Sequence, residues 1–378
     1  MDGPTPRIEI NVERVADNAA ALLSLCMSRG VELIAVTKAV GGSQRIAAAL
    51  HASGIRSFGD SRVANLRRMR EGGIMGTYFL IRSPVPSEAV AAVQWADVSL
   101  NTEIRVVRML GRAARARGTV HGVILMVELG DLREGIPPAD LDEAVAQTLR
   151  VPGVELAGIG ANLACLSGVR PSPQKMRELS TIAAGIERRH GVKLRCVSGG
   201  NSANYSWLVS TPDTGRINQL RMGESLLLGC DALTRRPIPG LHADAFTVVA
   251  EVMEVKTKPS VPDGEVVQDA FGHHPRFADR GSRRRAILAI GRQDIEPETL
   301  RPRIPAEIIG ATSDHLVLDA TEARLHVGDE VAFDVGYSSL LRAMASRDIA
   351  RVFTRGPGPE PVRDSGLPDR ALQGRGPG

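Results

Sequence analysis

Aromatic residues are scarce: two tryptophans, three tyrosines and seven phenylalanines account for 3% of the 378 residues. Any role that needs a tyrosine therefore has only Tyr78, Tyr205 and Tyr337 to draw on. Cysteine is sparse as well, with Cys26, Cys165, Cys196 and Cys230 forming no C-x-x-C pair and lying among apolar or small residues. That usage excludes a disulfide framework and reads as reduced core thiols of a soluble, cytoplasmic protein. No run of about 18 apolar residues occurs, so no membrane span is expected. Met1 to Arg7 likewise lacks the apolar core of a secretory signal. A charge excess is missing too, since 47 Lys and Arg face 43 Asp and Glu for a net charge of +4. The arginines are spread along the chain, so an anionic small molecule is a better-founded partner than nucleic acid or a membrane. Even the densest run, Arg283-Arg284-Arg285, leads into apolar residues and reads as the solvated start of a strand.

A chain of this length exceeds what one core usually holds, so two domains are expected. Residues 12–237 repeat one grammar, a short apolar run followed by a stretch with helical spacing. The runs fall at 33–37, 55–58, 78–81, 97–100, 123–129, 156–161, 194–197 and 218–222. Between them lie stretches such as 61–71, with Val63, Leu66 and Met69 on one face, and 173–190, with Met176, Leu179, Ile182 and Ile186. Strands alternating with amphipathic helices pair in parallel, and eight such units close into a (β/α)8 barrel of the TIM type. An open doubly wound sheet is the alternative. After Pro237-Ile238-Pro239-Gly240 the pattern turns to short alternating runs at 246–255, 285–290, 306–309, 315–318 and 330–335, with one helical stretch at 338–346. The expectation is thus an α/β chain, a barrel over 12–237 and a β-rich C-terminal domain over 238–354. Residues 1–11 hold a strand outside the barrel count that is free to join the β-domain. Residues 355–378, rich in Pro and Gly, are expected to be a disordered tail.

In such a barrel the C-terminal strand ends build the active site. The first run delivers Lys38 there, against apolar surface that favours its neutral, nucleophilic amine; a lysine merely reaching for water is the bland alternative. Other strand ends carry Asp60-Ser61-Arg62, Arg82, Asn101, Glu128 with Arg133 beyond it, and Asn162. Ser198-Gly199-Gly200-Asn201-Ser202 offers small residues and donors that let backbone N–H groups approach an anion. Arg221 and Gly223 sit on the last run, beside Lys38 once the barrel closes. A reactive amine, an anion nest and a fixed cation together describe a site for pyridoxal 5'-phosphate. The arginine faces the pyridine nitrogen and keeps it unprotonated, which suits reversible proton transfer at Cα. No set of histidines, cysteines and carboxylates has zinc spacing, and no metal site is expected.

Between about residues 7 and 354 these motifs resemble fold-type III pyridoxal phosphate enzymes, the alanine racemase group, and within it the ornithine racemase branch. The resemblance is carried by Thr37-Lys38, Asp60-Ser61-Arg62, Glu128-Leu129-Gly130-Asp131-Leu132-Arg133-Glu134-Gly135, Gly158-Ile159-Gly160-Ala161-Asn162-Leu163, Val197-Ser198-Gly199-Gly200-Asn201-Ser202 and Arg221-Met222-Gly223-Glu224. Asp269-Ala270-Phe271-Gly272, Ser313-Asp314-His315-Leu316 and Gly336-Tyr337 continue it. It implies a head-to-tail homodimer whose active sites are shared. Lys38 would hold the cofactor and serve as one acid/base, and Arg221 would face the pyridine nitrogen. Ser202, Gly223, Glu224 and Tyr337 would surround the phosphate, with Ser198 and Asn201 in the same loop. Arg133 would lie near the cofactor phenol oxygen and the substrate carboxylate, and Ser313 and Asp314 near the substrate. Three positions depart from alanine racemase proper: Asp269 replaces the tyrosine that serves as second base, Asn162 replaces a histidine beneath the ring, and Gly42 replaces a tyrosine one turn after the lysine. Asp269 is therefore expected either to act as the second acid/base or to bind the distal ammonium of a basic amino acid. A carboxylate that merely caps its own turn is the alternative, and His273, His274 and Asp314 are next in line for the proton.

The activity these expectations converge on is racemisation of an amino acid, with a basic one such as ornithine as substrate. The rivals are a decarboxylase or lyase of the same fold and a noncatalytic pyridoxal phosphate-binding protein. Arg221 weighs against the first and the β-rich domain against the second; an inactive, degenerate racemase would show in Asn162 and Asp269.

Overall fold

Alternate residues of a strand take opposite faces, so a barrel strand must satisfy an inner and an outer core at once. In the computed structural model, which describes residues 5–354, eight strands do so. They are β2 (Glu32–Val36), β3 (Ser57–Asp60), β4 (Thr77–Leu80), β5 (Val98–Asn101), β6 (His121–Met126), β7 (Val154–Gly160), β8 (Cys196–Asn201) and β9 (Gln219–Met222). All neighbours are parallel, and β9 closes on β2 with Ile34 beside Arg221. Ile34, Phe79, Val98, Leu100, Ile124 and Met126 fill the barrel interior as one cluster. Leu33, Ala35, Tyr78, Leu80, Val123 and Leu125, their neighbours along the strands, face the surrounding helices. The outer helices keep the expected stripes. Val12–Ser28 starts where the Asn11 side chain accepts the N–H groups of Glu13 and Arg14, and it buries Val15, Ala19, Leu22 and Cys26. Pro173–His190 begins with a Ser172 cap and ends at Gly191, whose φ of 63° suits a residue without Cβ.

The second sheet runs β12 (Leu300–Pro302), β15 (Glu330–Val335), β10 (Phe246–Pro259), β11 (Ser282–Leu288), β14 (Leu316–Asp319), β13 (Glu307–Ala311). The N-terminal β1 (Arg7–Asn11) pairs antiparallel with β10 and parallel with β16 (Ala350–Thr354). Sequence reasoning passed over β12 and β16. The first is three residues long and ends in Pro302, a residue tolerated only at a sheet edge, which is where β12 lies. The helix Tyr337–Ala345 returns to the barrel and packs on the turn that contains Lys38. The tail expected over 355–378 lies outside the described residues. Among the described residues no helix is long and apolar enough to cross a membrane.

One buried base ties the barrel to pH. His121, 1% exposed at the start of β6, has Nε2 2.8 Å from the Ser99 hydroxyl, and burial pulls its pKa from 6.5 to about 4. The folded state therefore resists a proton that the unfolded chain accepts. This contribution to stability is complete above about pH 6.5 and is lost as pH falls toward 4, amounting to about 3 kcal/mol once both states are protonated. His121→Gln, measured by urea unfolding at several pH values, is expected to flatten that part of the acid limb. An unchanged slope would remove His121 from the account.

Candidate active site

A cavity of about 570 Å³ opens over the C-terminal ends of the barrel strands, and Val36, Ile81, Leu100 and Met126 form its apolar floor. Lys38 enters it from the first residue of a single 3-10 turn, Lys38–Val40, directly after β2. The turn is pinned from behind. Thr37 Oγ1 donates to Asp60 Oδ2 at 2.8 Å, and the fully buried Asp60 also accepts from the Arg62 N–H at 2.9 Å and Asn65 Nδ2 at 3.0 Å. Burial pushes the Asp60 carboxyl up, while these donors and the nearby Lys38 pull it down. Asn65 also explains Gly42: a Cβ there would stand 2.8 Å from Asn65 Cβ and O, so the space beside the lysine turn is already taken.

On β9, the strand next to that of Lys38, lies Arg221, 4% exposed. Its guanidinium donates to Ala161 O at 2.8 Å, to Asn162 Oδ1 at 3.4 Å and to the Ser198 hydroxyl. Desolvation lowers its pKa to about 10, which leaves it charged at neutral pH. Every bond it makes is to a neutral oxygen. A buried cation without a bonded carboxylate is costly unless a ligand uses it. Ser198, wholly buried, does not line the cavity and acts behind Arg221. Asn201 bridges the floor, donating to Asn162 Oδ1 and Leu163 O at 2.9 Å each.

At the other end Ser202 Oγ accepts the N–H groups of Gly223 at 3.1 Å and Ser225 at 3.2 Å. A Cβ on Gly223 would meet Val36 at 3.1 Å, so only glycine lets this backbone come so near β2. Glu224 pairs with Arg235; burial raises its carboxyl and Arg235 opposes the shift. Tyr337 reaches in from the second domain, its ring 5.9 Å from Lys38 Nζ. Burial holds the phenol protonated beyond its ordinary range. Among the described residues, buried polar atoms here that lack partners include the Asn162 amide nitrogen and the Tyr337 hydroxyl. With the amine of Lys38, the cation of Arg221 and the bare backbone at Gly223, they fit an anionic aromatic aldehyde.

The loop after β6 supplies Arg133 and Glu134 to the same cavity. Glu128 Oε1 draws the loop inward by accepting the Leu132 N–H at 3.2 Å, with Leu132 held at φ 53°. Asp131 clamps it to the loop after β7 by accepting the N–H groups of Cys165, Leu166 and Ser167 at 3.0–3.3 Å. Arg133 forks onto Glu134, and Nη1 lies 2.6 Å from Cys165 Sγ.

Two expectations change. Cys165 is exposed at the cavity rather than a core thiol, because it sits on the loop after β7. Gly199 and Gly200 belong to β8 itself and are small for packing: a Cβ on Gly199 would meet Ile217 at 2.5 Å, and one on Gly200 would strike Asn204. Asp269, whose expected role lies in a partner's site, does not line the cavity of its own chain. It accepts the N–H groups of Phe271 at 2.8 Å and His273 at 2.9 Å, the capping role of a turn carboxylate, and those bonds hold its pKa low. Ser313 and Asp314 are likewise outside the cavity, bonded to one another on an exposed turn. Glu134 and Arg235, by contrast, line it although neither had been given a role by sequence reasoning.

Residues 10–230 match the family model for the alanine racemase N-terminal domain. The chain belongs to the alanine racemase family. It is 38% identical over 350 residues to a lysine racemase of Thermotoga maritima, covering 92% of this chain and 98% of that one. It is 36% identical over 350 residues to an ornithine racemase of Acetoanaerobium sticklandii, covering 92% and 99%. In fold it is similar to alanine racemase from Bartonella henselae with covalently bound pyridoxal phosphate, at 17% identity and a TM-score of 0.69, over 93% of this chain and 100% of that one. Lys38 and Arg221 both fall within the residues that match the family model.

Proposed function

We propose that this family member is a pyridoxal 5'-phosphate-dependent racemase that interconverts the L and D forms of a basic amino acid, of the ornithine and lysine class. The observation that carries the reading is Arg221, a buried cation bonded only to neutral oxygens and sharing one cavity with Lys38. The two relatives named for lysine and ornithine support the substrate class. Bound in the cavity, the cofactor supplies an electron-accepting ring that acidifies the Cα–H of an attached amino acid.

The residues of the chain do the rest. Lys38 Nζ would hold the cofactor and would take or return the proton at Cα on its own face. Arg221 would present its positive charge to the ring. Ser202, the Gly223 backbone, Glu224 and Tyr337 cradle the phosphate end, and Ser198, Asn162 and Asn201 fix Arg221 and the floor. Arg133 takes the substrate carboxylate. Inversion needs a second acid/base on the opposite face, and Asp269 of the second domain fills that role across a head-to-tail homodimer, with Ser313 and Asp314 of the same domain near the substrate. Its segment also exposes Val266, Val267, Phe271 and Phe277, apolar area suited to burial by a partner subunit. Free thiols fit a cytoplasmic setting.

The test is incubation of the purified protein with pyridoxal phosphate and single amino acids in deuterated water. Deuterium at Cα with inversion, on ornithine or lysine, is expected. Release of carbon dioxide would move the protein to a decarboxylase, side-chain cleavage to a lyase, and absence of exchange across a broad panel would leave a cofactor-binding protein.

A further inference from the structure

The cavity holds two carboxylates, Glu134 and Glu224. Glu224 stands beside Gly223 in the Ser202 cradle, and Arg235 faces it. Glu134 lies on the Arg133 loop, about a quarter exposed, and among the described residues its ion-pair partner is Arg133. The pair is presented stiffly, because Glu128 bonds the backbone of this loop at Leu132, Asp131 ties the loop to the backbone of the one after β7, and Leu132 is fixed in the left-handed region.

A basic amino acid carries the same two charges as this pair, an α-carboxylate and a distal ammonium on a short methylene chain. We infer that Glu134 is a specificity-determining residue that binds the distal ammonium of the substrate, by an exchange of partners with Arg133. In the empty cavity Arg133 and Glu134 satisfy each other. When substrate enters, Arg133 moves onto the α-carboxylate and releases Glu134, which takes the ammonium, so one internal ion pair becomes two across the interface. Charge stays balanced throughout. A neutral amino acid also draws Arg133 away but gives Glu134 nothing in return, leaving a half-buried carboxylate without its cation. Selectivity thus comes as much from the penalty imposed on neutral substrates as from the attraction of basic ones. Arg133 lies against Cys165 on its other edge, which keeps it at the cavity wall during the exchange.

This inference rests on the basic-amino-acid reading above, and the experiment separates the two. Wild-type enzyme and Glu134→Gln are compared on ornithine and on norvaline, its counterpart without the amine. Binding of α-methylornithine and α-methylnorvaline, which have no α-proton to lose, is titrated alongside. Glu134→Gln is expected to raise KM for ornithine by about 10- to 100-fold with a smaller change in kcat, and to weaken α-methylornithine alone. Norvaline should be unaffected or improved, and Glu134→Asp should restore part of the preference. Equal losses on both substrates would mean that Glu134 only steers Arg133, and the inference fails. It fails also if Asp269→Asn abolishes the preference while Glu134→Gln keeps it. A wild-type enzyme that racemises norvaline as well as ornithine overturns the substrate class itself.

Discussion

Lys38→Ala is expected to give a folded protein that no longer retains pyridoxal phosphate and has lost at least about 10⁴-fold in racemase activity. Lys38 is the only lysine that lines the cavity, so no neighbouring amine can take its place. The fold should tolerate the change. The turn around Lys38 is held by Thr37 and Asp60 behind it, and those bonds do not involve the lysine side chain. Thermal unfolding should therefore move little, which separates loss of the amine from loss of structure. Lys38→Arg is the sharper control, because it keeps the charge next to Tyr337 and removes the nucleophile. Retention after borohydride treatment and denaturing gel filtration is the measurement. A Lys38→Ala protein that still carries reduced cofactor through both steps would refute the assignment.

Asp269→Asn is expected to lower the rate of inversion by about 10²- to 10⁴-fold while deuterium exchange with retention continues on the Lys38 face. The split matters because a general defect would depress both. Within one chain the N–H groups of His273 and Phe271 hold the Asp269 carboxyl below the ordinary range, a poor setting for a proton donor at neutral pH. Burial in a partner's cavity acts in the opposite direction, so the proposal demands the dimer. Mixing the two variants tests that demand. A hybrid of a Lys38→Ala subunit and an Asp269→Asn subunit has one site with both wild-type residues, and random mixing should return roughly a quarter of wild-type activity. No recovery from two inactive parents would place both groups in the same chain or remove Asp269 from the reaction.

How legible was the site? Lys38 could be read from the sequence because it follows an apolar run, and Arg221 because it lies on the last, weaker run, which barrel closure makes a neighbour of the first. The eight strands were readable for the same reason, although β3 ends two residues later than its apolar run. Asp60 is polar yet buried, and its compensating donors come from Thr37, Arg62 and Asn65, which periodicity does not reveal. Glu134 was hidden differently. Next to an arginine in a loop it looks like a solvated charge, and only the fold of 128–135 turns both side chains into one cavity. The two glycines of β8 misled in the other direction: Gly199-Gly200 has the composition of an anion-binding turn, but Ile217 and Asn204 occupy the space that side chains would need.

Strand β1 sets a constraint on the order in which the molecule is made. Its partners are Phe246–Val249 on one side and Ala350–Thr354 on the other. The ribosome therefore delivers this strand first, then the entire barrel, and only afterwards the residues that cover either edge. At about 5–20 residues per second an apolar strand waits for tens of seconds with both edges open. Arg7 and Glu9, on the face opposite Ile8 and Ile10, bond each other in the folded protein, and Glu330 completes the cluster. Nascent chains arrested near residue 240 should be the ones most dependent on chaperones.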